Sequence, residues 1–191
     1  MSIRNTALLL SLALALSACA KNPRASYLKT LDQWTDKLVI QESLGTALRL
    51  RGTYLSPTFR GVLEQERARL LGDADSDAAG FRERQAEAMA NTHEIVFTAE
   101  SDIESNTKFG DHDGAWRLRL VADGVEQPLL TVHRVRRPNS LQEALFAHKN
   151  LWNELWVARF DATVSQPTTL EFHVGSGYGS GSLQWSSTGI R

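Results

Sequence analysis

Apolar side chains recur at every second position over much of this chain, the spacing that puts them on one face of a β-strand. Residues 115–122 set Trp116, Leu118 and Leu120 against Arg117, Arg119 and Val121. The same alternation runs through Trp156, Ala158 and Phe160, and again through Leu170, Phe172 and Val174. Earlier, Leu48, Leu50 and Tyr54 alternate with Arg49 and Arg51. The pattern predicts seven strands near 46–55, 93–100, 115–122, 128–136, 155–162, 168–174 and 182–187. Asp123-Gly124 is a hairpin turn signal, and Pro138 ends the strand that returns from it.

A longer period marks the helices. Leu28, Leu31, Trp34 and Leu38 predict one over 26–41. Ser56-Pro57 supplies a favoured N-cap and first-turn residue for a second over 57–71, which Gly72 terminates. Residues 73–80 form a loop, and a third, highly charged helix covers about 77–91. Residues 139–150 fit either a short helix capped by Asn139 or Ser140 or a long loop. Short alternating strands separated by turns predict a mainly β fold. The expected architecture is an antiparallel β-sandwich of about seven strands, with an N-terminal helix and a two-helix insertion.

The first twenty residues follow neither pattern. Arg4 precedes an apolar run from Ala7 to Leu16, the layout of a secretory signal. The run is well short of the roughly 20 residues a bilayer-crossing helix needs. Leu16-Ser17-Ala18-Cys19 follows it, and Cys19 is the only cysteine of the 191 residues. This quartet resembles the lipobox of bacterial lipoprotein precursors. The resemblance covers residues 1–19 and implies cleavage after residue 18 and lipidation of Cys19. A secreted domain would otherwise carry a reactive thiol in an oxidising compartment. In that family Ala20, the residue after the cysteine, is compatible with sorting to the outer membrane of a Gram-negative host. Residues 19–25 then form a short tether and 26–191 a single domain in the bacterial envelope.

Charge narrows the partners. The chain carries a formal net charge of −1, and loss of Arg4 with the signal takes the remainder to −2. No basic surplus points to nucleic acid. The remaining partners are the membrane, reached through the lipid, and a protein or envelope component.

Candidate chemistry is sparse. Asp73, Asp75 and Asp77 occupy positions 1, 3 and 5 of a calcium loop, but Ala78 stands at position 6 and Arg84 at position 12. A cation where the bidentate glutamate belongs repels the ion, so this segment reads as a solvated acidic loop. Asp102, Glu104, Asp111 and Asp113, with His112, crowd the loop after the second strand. Hard oxygen donors in a loop at the end of a sandwich suit calcium, as in C2-like and carbohydrate-binding modules. Calcium is therefore the one cofactor admitted, with these four acids as candidate ligands. Gly175 to Gly181 lacks both the Lys-Ser/Thr of a phosphate loop and the spacing of a nucleophile elbow, and reads as a flexible turn. The five histidines form no short-spaced metal pair, and His173 is expected to face solvent. Trp116, Trp152, Trp156 and Trp185 are expected in the core or on sheet faces. No segment carries a catalytic signature. The sequence favours a non-enzymatic, membrane-anchored binding or structural module. A calcium-dependent ligand-binding sandwich is the alternative, and a hydrolase built from scattered Asp and His comes third.

Overall fold

The computed structural model describes residues 22–42, 45–72, 75–102, 107–110 and 114–190. The signal segment, Cys19, Glu104, Asp111, His112 and Asp113 lie outside them. The described chain forms two antiparallel sheets of five strands each and four helices.

The first sheet has the order β1-β2-β3-β7-β6, built from β1 (Thr35–Glu42), β2 (Gly45–Tyr54), β3 (Thr92–Glu100), β7 (Glu154–Asp161) and β6 (Leu129–Arg134). The second has the order β10-β9-β8-β4-β5, built from β10 (Gly189–Ile190), β9 (Gly179–Ser186), β8 (Thr169–Ser176), β4 (Arg117–Ala122) and β5 (Val125–Gln127). The helices are α1 (Pro23–Gln33), α2 (Pro57–Leu71), α3 (Asp75–Asn91) and α4 (Ser140–Leu145).

Alternation explains how the sheets meet. Ile95, Phe97 and Ala99 of β3 share a buried face with Trp156, Ala158 and Phe160 of β7. Opposite them, Leu120, Leu170, Phe172, Val174 and Leu183 are buried on the second sheet. The Phe172 ring lies 5.7 Å from Phe97 and 6.0 Å from Phe160, so one aromatic cluster joins the two sheets. At one edge the sheets close tightly. The Trp185 indole N–H donates to Trp34 O at 2.9 Å, and Asp36 Oδ2 accepts from Gln184 N at 2.8 Å.

The middle of the first sheet's outer face is also buried. Thr53, Val96, Thr98 and Leu155 lie on it. Helix α2 docks there through Arg60, whose guanidinium donates to Leu55 O at 2.9 Å and to Glu94 Oε2 at 3.0 Å, and also to Gln85 Oε1. Helix α1 is pinned to α2 by Glu66, which takes Arg24 at 2.8 Å and Arg69 at 2.7 Å. These two guanidiniums hold the Glu66 carboxyl below the usual range, Arg69 contributing most. The outer face of the second sheet, with Arg117, Arg119 and His173, carries none of the described helices and is half-buried to exposed.

Several expected elements are met. Ser56 caps α2 by accepting from Phe59 N at 3.1 Å, and Gly72 ends it in the left-handed conformation at φ 62°. Both residues of the 123–124 turn have positive φ, 47° and 82°, as a type I′ hairpin requires. Asn139 forms a capping box with Gln142, which settles residues 140–145 as a helix.

Others are corrected. Among the described residues there are ten strands rather than about seven. The helix expected over 26–41 starts earlier, at Pro23, and stops at Gln33, and 35–42 is strand β1. Leu38 and Ile40 turn inward at period two, opposite Leu50 and Leu48. The strand expected over 128–136 is present as β6, over 129–134, and a separate short strand, β5, precedes it. Pro128 has no N–H for a ladder, and there the chain leaves the second sheet for the first. The expected flexible glycine turn is mostly strand, with only Gly177 and Tyr178 outside β8 and β9. The loop expected at 73–80 gives way to helix from Asp75, and Asp73 lies outside the described residues.

Candidate functional site

The expected calcium loop is only partly described. Of its candidate ligands, Asp102 is placed, and its carboxylate accepts from Thr46 N at 2.8 Å while its own N–H donates to Thr46 O at 3.3 Å. This pairing extends the β2–β3 contact beyond the end of β3. Glu104, Asp111 and Asp113 lie outside the described residues. Among the described residues no group of three or more His, Cys, Asp or Glu is placed to hold a metal.

The described part of this loop does something the alternation did not reveal. Phe109 is buried and packs edge-on against both Phe97 and Trp156, each at 5.2 Å between ring centroids. It plugs the sheet pair on the β6 side. Gly110 has φ 79° and sits against Val132 so closely that a Cβ there would clash. A phenylalanine before a glycine inside a polar run was the available sign.

Between this plug and β6 lies a cleft of about 440 Å³. Thr107, Lys108, Phe109, Val132, Arg134 and Trp156 form much of its wall, with His133, Arg136 and Glu154 at the rest. Glu154 pairs with Arg134 and also accepts from the Trp156 indole N–H at 3.3 Å. One carboxylate therefore faces three permanent cations, Lys108, Arg134 and Arg136. An aromatic floor and a positive wall suit an anionic group held beside an apolar body.

A second, smaller cleft of about 190 Å³ lies between α1 and the segment after α4. Leu31, Thr35, Lys37, Arg51 and His148 line it. His148 is buried, and neither ring nitrogen has a hydrogen-bond partner. Burial first, and the nearby Arg51 charge second, push its pKa down to about 4. The ring is thus neutral at pH 7.

The other histidines divide clearly. His93 is buried and paired at both nitrogens, with Tyr54 Oη at 3.1 Å and Val164 O at 2.8 Å. A carbonyl only accepts, so Nε2 carries the proton and Nδ1 accepts from the tyrosine. Burial lowers the His93 pKa and raises that of Tyr54 to about 12. This pair has the satisfied geometry of a structural element. His133 is exposed on β6, and His173 lies half-buried on the outer face of β8, within 3.3 Å of Glu171. The four described histidines are not brought together.

Trp116, Trp156 and Trp185 are buried as expected, but Trp152 is 83% exposed. It sits in the loop between α4 and β7 rather than on a strand, beside Leu151, which is 95% exposed. No family model matches the chain, and no curated protein or solved structure does either. What the molecule does must therefore be argued from these features alone. No helix among the described residues is long and apolar enough to cross a membrane.

Proposed function

We propose that this chain is a lipid-anchored, non-enzymatic binding module of the bacterial envelope, held by Cys19 and taking an anionic ligand or acidic partner in the cleft beside β6. The fold behind the cleft is read as a β-sandwich whose helices cover one sheet. The lipobox at Leu16–Cys19 supports the anchor, and Ala20 supports the outer membrane if the host is Gram-negative. The observation that carries the binding reading is the cleft itself, where Lys108, Arg134 and Arg136 face the single carboxylate of Glu154 over the Trp156 ring. Arg134 and Glu154 offset each other, which leaves Lys108 and Arg136 as the net positive pair.

A photo-crosslinking residue placed at His133, in cells carrying the full chain, tests this. The expected result is a discrete adduct that Lys108→Glu with Arg136→Glu eliminates while the protein stays folded. An adduct that persists at full yield in the charge-reversed variant overturns the cleft as the site.

A further inference from the structure

Leu151 and Trp152 are the two most exposed large apolar side chains among the described residues. Their exposure is built rather than incidental. Asn150 Oδ1 accepts from Trp152 N at 2.8 Å and from Asn153 N at 3.1 Å, while Asn153 Oδ1 accepts from Asn150 N at 2.9 Å. The Asn153 amide donates to His148 O at 3.0 Å. Two asparagines thus clamp a short loop and hold a leucine and a tryptophan outward, where each meets water. Exposed apolar groups on a preorganised tip mark an interaction surface.

The surroundings of the tip specify the partner. Lys37 and Arg51 line the cleft that also holds Asp32, Ala147 and His148, and Lys37, Arg49 and Arg51 line the adjoining groove reached by Asn150 and Asn153, where Glu100 pairs with Arg49 at 3.0 Å and leaves a net positive rim. Lys149 directly precedes the clamp. A tryptophan and a leucine rimmed by lysine and arginine match the interfacial zone of a bilayer, where indole rings settle and cations meet phosphates.

The start of the described chain lies at this end of the molecule. Arg24 donates to Ala144 O at 2.7 Å and Tyr27 to Leu145 O, so the start of α1 rests on the end of α4, from which the tip loop emerges. Only three residue steps separate Cys19 from Asn22, the N-cap of α1, a reach of about 10 Å at full extension. A lipid on Cys19 would therefore hold the Leu151–Trp152 tip near the leaflet.

We infer that Leu151 and Trp152 insert into the interface of the same leaflet that carries the Cys19 acyl chains, with Lys37, Arg51 and Lys149 against anionic headgroups. The inference rests on the lipid anchor proposed above. It adds a second, orienting contact that sets which way the β6 cleft faces.

The test uses the full lipidated protein reconstituted into phosphatidylcholine–phosphatidylglycerol vesicles with bromine-labelled acyl chains. Trp34, Trp116, Trp156 and Trp185 are all buried, so bromine quenching reports on Trp152. The expected result is loss of the emission share of one tryptophan in five, abolished by Trp152→Phe and weakened when phosphatidylglycerol is omitted or Arg51→Glu is introduced. Protein that floats with the vesicles yet emits equally from brominated and unbrominated lipid overturns this inference and leaves the anchor standing. Protein that carries no acyl chain and does not float overturns both.

Discussion

Gly181 of β9 faces Leu38 of β1 with no room for a side chain: a Cβ added there would stand 3.2 Å from Leu38 Cδ2 and closer still to Cδ1. Gly179, two residues earlier, meets Ile40 in the same way, at 2.8 Å. The glycine-rich hairpin is therefore a packing surface that lets the second sheet approach the edge of the first. Gly181→Ala is expected to cost about 1–3 kcal/mol through overpacking. Leu38→Ala should recover part of that loss, because the two side chains compete for one space. A double-mutant cycle by chemical denaturation checks this, with a coupling of about 1 kcal/mol expected. Strict additivity would mean that the sheets adjust freely at this edge.

Arg60 and Glu94 form the polar joint between α2 and β3, with both side chains almost fully removed from water. Arg159 approaches the other Glu94 oxygen at 3.5 Å. Arg60→Ala leaves a buried carboxylate with one distant cation, and also strips Leu55 O and Gln85 of their donor. A loss of about 3 kcal/mol is expected, at the lower end for a broken buried pair because Arg159 remains. Replacing Arg60 and Glu94 together with leucine should cost clearly less than Arg60→Ala alone. Equal losses in urea melts would show that the joint acts through packing rather than charge.

His148 gives the fold a pH dependence of predictable sign. Its folded-state pKa, about 4, lies below the ordinary 6.5, so the unfolded chain binds more protons between these values. Its contribution is complete above pH 6.5 and is lost as pH falls toward 4, on the order of 3 kcal/mol in all. His148→Phe should leave the melting temperature at pH 7 nearly unchanged and flatten its decline between pH 6.5 and 4. The remaining decline belongs in part to His93, whose pKa burial also lowers. A variant that declines as steeply as the parent would place the acid sensitivity elsewhere.

The sequence displayed what local physics decides. Alternation located both faces of β2, β4, β7 and β8, and the caps at Ser56, Gly72 and Asn139 marked helix ends, because each of these signals is short in range. Residues 35–42 escaped because Leu31, Trp34 and Leu38 happen to keep helical spacing across a helix-to-strand junction. The pairing of Leu38 with Leu50, a tertiary contact, decides the outcome. The Gly175–Gly181 segment looked mobile because glycine reports freedom in sequence but close approach in a packed sheet. The β6 cleft was illegible for the same reason. Lys108 and Arg136 are 28 positions apart, and only the Phe109 plug brings their segments together. Trp152 was misread because an aromatic residue near alternating positions usually packs, and nothing local reveals the asparagine clamp.

Calcium offers a clean contrast with the cationic cleft. The described wall beside the 102–113 loop brings Lys108, Arg134 and Arg136 together, and Asp102 already serves Thr46. Millimolar calcium is expected to leave the melting temperature where a chelator leaves it, since a ligand of the folded state must raise it. A rise abolished by Asp111→Asn with Asp113→Asn would establish the loop as a metal site and displace the anionic reading. A rise abolished by Asp75→Asn alone would move the site to the start of α3.

On the proposed reading, Cys19 carries the lipid that places this domain on the membrane. Metabolic labelling of the full chain with a tagged fatty acid, followed by detergent phase partition, tests it most directly. The account predicts label on the wild-type protein and its recovery in the detergent phase, with both lost in Cys19→Ser. Hydrophobic anchoring at about 0.8 kcal/mol per buried CH₂ makes that difference large. Wild-type protein without label, or a Cys19→Ser protein that still carries it, would contradict the account.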